Sequence, residues 1–240
     1  MGEHDDRCDL CDAIGTYLEI ENPQEPSPEE ASQSLPTAVE RLMAPNERLA
    51  AHYRYRSERL LKCPQCGAYY LYRQWAPGGS EDVMHTYIHE SVSRLSALQA
   101  RVELDVAHHQ AGREAEERGA GWVEAAISTG LGVQQELPSL LPRCGEIIGE
   151  AVSALEERAR RLQELEQGAS STRRRAEAAE RERRAMAYYA EVLADYAGCE
   201  PANEAPPELL ERLRALRQGS DPAAIAWLEL ALERLASPRP

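Results

Sequence analysis

Two short cysteine pairs, Cys8-Asp9-Leu10-Cys11 and Cys63-Pro64-Gln65-Cys66, constrain the fold more than any other feature of this sequence. Each C-x-x-C brings two sulfurs within reach of one point, and two such pairs supply the four thiolates of a tetrahedral metal site. Residues 12 to 62 lie between the pairs, so the chain has to bring two distant segments side by side. Disulfide bonding is the other use of paired cysteines, and it needs an oxidising compartment. The segment Met1-Gly2-Glu3-His4-Asp5-Asp6 carries neither a basic nor an apolar stretch, and Asp6 stands where myristoylation needs Ser or Thr. No run approaches the roughly 20 apolar residues that span a bilayer. A soluble, cytoplasmic chain with reduced thiols is expected, and metal binding then accounts for the pairs.

The surroundings of each pair set its expected geometry. Leu60-Leu61-Lys62 precedes the second pair and Ala68-Tyr69-Tyr70-Leu71-Tyr72 follows it, which reads as strand, turn, strand. Pro64 presets the turn, and Gly67 can adopt positive φ so that both sulfurs face one point. After the first pair, Ile14 to Ile20 alternates like a half-buried strand. Four thiolates close the coordination sphere and leave no position for the water that catalytic zinc requires. The expected ion is therefore a structural Zn2+ held by Cys8, Cys11, Cys63 and Cys66, whose binding free energy is also folding free energy. A second reading leaves Cys8 and Cys11 incidental and completes the ligand set with His4 or His52. A redox dithiol is disfavoured, because neither pair sits in a βαβ context.

The C-x-x-C…C-x-x-C-G pattern resembles the zinc-ribbon family, over roughly residues 8 to 20 and 58 to 75. The resemblance implies two knuckles on β-hairpins that clamp zinc. Two departures stand out: the long insertion between the knuckles, and Asp12 in place of the Gly after the first knuckle, where Asp tolerates left-handed geometry. Cys63 to Tyr72, with Gly79-Ser80-Glu81-Asp82, is also similar to the ribbon portion of uncharacterised bacterial proteins, which implies a fold and no activity.

Along the rest of the chain, Asn22 to Pro28 reads as a loop broken by three prolines, followed by two short helices carrying Val39, Leu42 and Met43, then Leu49 and Tyr53. Ser80 is placed to cap a long helix whose stripe runs Met84, Ile88, Ser91, Leu95, Leu98 and Val102. A short helix is expected at Trp122 to Ser128. Apolar stripes from Ile148 to Leu162 and from Met186 to Ala197 predict one helical hairpin, and Leu209 to Leu216 with Ile225 to Leu235 a second. The fold class is α+β. The expected domains are a ribbon with a helical insertion at about 23–57 (residues 1–79) and a helical remainder (residues 80–240).

A net charge of −14 disfavours broad contact with nucleic-acid phosphates or anionic lipid. The basic cluster Arg173-Arg174-Arg175, Arg181, Arg183, Arg184 is interleaved with Glu177, Glu180 and Glu182, which reads as a salt-bridged helix. His85 and His89 fall four apart, on one face of the expected helix, but Thr86 occupies the Glu position of the HExxH order. His108-His109 reads as surface, and Cys144 and Cys199 as buried thiols. No nucleotide-binding or nucleophile motif appears.

The function expected is a non-enzymatic, zinc-stabilised binding or scaffold module with a protein partner or self-association, no membrane and no small-molecule substrate. The alternatives are a nucleic-acid-associated factor stacking bases on Tyr69, Tyr70, Tyr72 and Trp75, and a metal-dependent enzyme using His85, His89 and Glu90.

Overall fold

The protein is seen here as a computed structural model, which describes residues 8–23, 35–46, 48–49, 58–75, 87–118, 120–167, 173–199 and 206–236. It divides into two compact units, Met1–Ser139 and Leu140–Pro240.

The first unit holds a four-stranded antiparallel sheet. Its strands are β1 (Tyr17–Pro23), β2 (Glu58–Lys62), β3 (Tyr69–Trp75) and β4 (Tyr87–Arg94), in the order β1-β4-β3-β2. On one face lie α1 (Asp9–Ile14) and α2 (Thr37–Glu40), where Leu10, Ile14 and Val39, with Leu42 just after α2, are buried against Tyr70 and Val92. The opposite face buries Leu60, Tyr69, Leu71 and Ser91, and α3 (Ala97–Arg118) packs on β3. The next helix, α4 (Ala120–Glu136), folds back along α3, and a 3-10 turn follows at Leu137–Arg143.

Three expectations are corrected. The helix predicted from Ser80 through Ile88, Ser91 and Leu95 does not form in its described part: Tyr87–Arg94 is the interior strand β4, and the helix starts at Ala97. A strand covered on both faces carries no period of two, and Ser91 and Val92, adjacent in sequence, are both buried. Pairing with β1 on one side and β3 on the other outweighs the chance spacing. Second, the strand read from Ile14 begins only at Tyr17, because Ile14 closes α1. Third, the expected short helix at Trp122 is a 17-residue helix that contains Gly130 and Gly132. Both glycines allow close approach: an added Cβ would lie 2.8 Å from the His108 ring at the first and 2.9 Å from Asn46 at the second. Residues 24–34, 50–57 and 76–86, with the prolines at 26 and 28, Tyr53 and the Ser80 cap, lie outside the described residues.

The end of α4 is tied to the sheet by a buried carboxylate. Glu136 accepts from Lys62 Nζ at 2.8 Å, from the Tyr69 hydroxyl at 2.6 Å and from Asn46 Nδ2 at 3.3 Å. Each carboxylate oxygen has a donor, as a buried polar group requires.

The second unit is helical, with α5 (Cys144–Gln167), α6 (Arg173–Ala197), α7 (Pro207–Gly219) and α8 (Pro222–Ala236). Helix α6 packs against both α5 and α8, and α7 against both α5 and α8. The interior is aliphatic: Ile147, Val152, Leu155, Met186, Leu193, Leu213 and Leu228 are buried. Both hairpins match the stripes in the sequence. No helix among the described residues is long and apolar enough to cross a membrane.

Candidate metal centre

Two different local structures deliver the four cysteines. Cys8 is the N-cap of α1, in extended backbone at φ −107°, and Cys11 lies on the helix's first turn. The Asp12 N–H donates to Cys8 O at 2.9 Å, closing the turn that aligns the two sulfurs. Helix α1 ends where the Gly15 N–H donates to Cys11 O at 2.8 Å, with Gly15 at φ +77°. The second pair sits in the turn joining β2 to β3. There Cys63 N–H donates to Ala68 O at 2.8 Å, Gly67 N–H donates to Cys63 O at 3.0 Å, and Gly67 lies at φ +76°. The second pair thus matches the strand-turn-strand reading, whereas the first is a helical turn. The left-handed residue expected at Asp12 is absent, since no described non-glycine residue has positive φ. The glycine needed to leave a helix comes at position 15 instead.

All four sulfurs lie within 4.8 Å of one another. Cys8 Sγ is 3.5 Å from Cys63 Sγ and 3.7 Å from Cys66 Sγ, and Cys11 Sγ is 3.3 Å from Cys66 Sγ. A disulfide needs about 2.05 Å. A tetrahedral ion with metal–sulfur bonds of about 2.3 Å sets sulfur edges of about 3.8 Å. The cluster therefore fits a divalent ion, and all its cysteines are free. Cys11 and Cys63 are buried, and Cys66 is exposed at the rim.

Burial alone would raise the Cys8 thiol, but hydrogen bonds from the Cys11 backbone and the neighbouring thiols bring it down to about 7. Burial pushes Cys11 up to about 12 and also raises Cys66. Thiols this close cannot all ionise unless a cation shares the site. A second observation agrees. The Tyr70 hydroxyl is buried with no hydrogen-bond partner, and its ionisation is raised first by burial and then by Cys11. An orphaned donor beside a ligand sulfur suits a metal-bound thiolate, which accepts hydrogen bonds better than a thiol.

Among the described residues, these four cysteines are the only grouping of three or more His, Cys, Asp or Glu with metal-holding geometry. His4, His52 and His85 lie outside the described residues. His89, predicted on a helix, is on strand β4. It stacks on Trp75 with ring centres 5.4 Å apart, and its nitrogens lie 3.8 Å from Glu19 and Glu21. Tyr69 and Tyr70, named for base stacking, are buried; Tyr72 is half-buried and donates to Glu90. Trp75 is the exposed one of the four.

In the basic cluster, Arg173, Arg183 and Arg184 pair with Glu177, Glu166 and Glu180. Cys144 is buried as expected and donates to Leu141 O, but Cys199 is exposed. Sequence reasoning missed the Glu136 tie and the placement of Tyr70. Lys62, the single lysine, was the available signal for the first, and nothing local marked the second. No protein-family model, no curated protein and no solved structure matches this chain. The likeness to zinc ribbons rests on the cysteines and the β2–β3 turn.

Proposed function

We propose that this protein is a non-enzymatic binding or scaffold module of the bacterial cytoplasm, stabilised by one structural zinc ion on Cys8, Cys11, Cys63 and Cys66. The observation that carries the reading is a set of four sulfur donors converging from two segments far apart in sequence. Four thiolates select a soft, tetrahedral ion and fill its coordination sphere. The role this supports is architectural: the ion cross-links α1 to the β2–β3 turn over a core of Leu10, Ile14, Val39 and Leu42. The working surface then faces a protein partner or a second copy of the chain.

The test is elemental analysis of protein purified without a metal-affinity tag, with sedimentation of the same samples. One zinc per chain is expected, lost in both Cys8→Ser and Cys63→Ser, along with self-association or a stoichiometric co-purifying protein. Zinc that survives Cys8→Ser rules out the four-cysteine site. A zinc-loaded monomer with no partner argues against the scaffold role.

A further inference from the structure

We infer that Tyr70 is a positioning residue of the metal centre, donating its hydroxyl hydrogen to the Cys11 sulfur once that sulfur is a metal-bound thiolate. The inference rests on the metal reading above and deepens it.

Tyr70 lies in the second position of β3, paired with Leu61 of β2, so the strand that leaves the second cysteine turn aims its ring at the first pair. The ring is fully buried, in the same cluster as Cys11, Cys63, Leu10 and Val92. Phenylalanine would fill an apolar cluster of this kind without stranding a hydroxyl, and an unsatisfied O–H deep in a core is costly. Tyr70 carries the one side-chain polar atom among the described residues that is fully buried without a partner. Of the polar groups acting on it, which include Arg94 and Cys63, the foremost is Cys11, itself buried. As a thiol, that sulfur is a weak acceptor; as a metal-bound thiolate it carries charge and accepts strongly. A metal-bound Cys11 thiolate therefore offers the buried Tyr70 hydroxyl the strong acceptor that a thiol does not. Partners one layer outside a metal's ligands orient those ligands and alter affinity by about 10- to 100-fold.

The test uses the full chain, with cobalt(II) chloride as the probe and a chelator of known affinity as competitor. Wild type is expected to show sulfur-to-cobalt charge-transfer bands of a four-thiolate site. Tyr70→Phe, which keeps the ring, is expected to hold cobalt about tenfold more weakly. Its charge-transfer band should move to lower energy, because a sulfur that loses a hydrogen bond gives up its electrons more readily. A purely packing role would leave that band in place. Site-specific fluorotyrosine at position 70 keeps the shape and strengthens the donor, so its band should move to higher energy; this variant also serves if Tyr70→Phe folds poorly. Wild-type bands together with an unshifted band and unchanged affinity in both variants overturn the role of Tyr70 alone. Absence of the bands in wild type overturns the four-cysteine site and this inference with it.

Discussion

The two units solve the same problem, covering an apolar interior, by different means. In Leu140–Pro240 the helices α5 to α8 bury aliphatic residues spaced along their own lengths, such as Ile147, Val152, Leu155 and Leu193. Each helix is 13 residues or longer. In Met1–Ser139 the elements around the cysteines are short: α1, which carries Cys11, has six residues, α2 four and β2, which ends just before Cys63, five. Elements of that size cannot hold themselves together by local hydrogen bonding, because nucleation costs more than so few residues return. Long amphipathic elements let burial do the work, while short ones gain most from a cross-link such as the proposed ion.

The largest effect that would break this comparison comes from metal removal. A strong chelator at neutral pH, or Cys11→Ser, should release the ion and with it apparent binding free energy on the order of 10 kcal/mol. Amide exchange should then become fast in Asp9–Ile14 and across the β2–β3 turn and stay slow in α5 and α6. Equal deprotection of the helical unit would show that the two do not differ as argued. The converse change is Leu193→Ala in the bundle, which should cost about 3 kcal/mol in denaturant unfolding and leave the metal content unchanged.

Helix glycines sharpen the contrast on a smaller scale. Gly149→Ala in α5 meets nothing within 4 Å and should stabilise by about 0.5–1 kcal/mol. Gly132→Ala in α4 places a Cβ 2.9 Å from Asn46 Oδ1 and 3.3 Å from Leu49 Cγ, so it should lose that gain and destabilise by about 1 kcal/mol. Thermal midpoints moving in opposite directions would bear this out. The smallest effect belongs to the bundle surface. Arg212 pairs with Glu156 at 2.7 Å, and its hydrogen bond holds the Glu156 carboxyl below the ordinary value of 4.5. A carboxyl whose folded pKa is depressed contributes stability above its unfolded pKa and loses it as pH falls through the folded one. Both side chains are about two-fifths exposed, so Arg212→Ala should cost under about 1 kcal/mol at pH 7. Wild type and variant should converge as pH falls through the folded-state pKa of Glu156, and a gap that persists in strong acid would mean the loss is one of packing.

The candidate site was half legible before the structure. C-x-x-C names its donors, and C-P-x-C-G also names its turn, because proline and glycine encode backbone geometry locally. The first pair carries no such punctuation: Asp12, a residue that tolerates left-handed geometry, sits inside the helical turn, and Gly15 ends it. The Glu136 tie joins residues from β2, β3 and α4, and no window of sequence holds all of its members.

What the sequence by itself determined is the donor set and the bundle helices, since thiolate chemistry follows from residue type and an amphipathic stripe repeats along its own helix. Tertiary structure alone decided that Tyr87–Arg94 is a strand and that Tyr70 faces Cys11. Both depend on strands brought together from distant parts of the chain. A central strand covered on two faces leaves no periodic trace, and a side chain's neighbours across a sheet are set by register, which only the assembled fold defines.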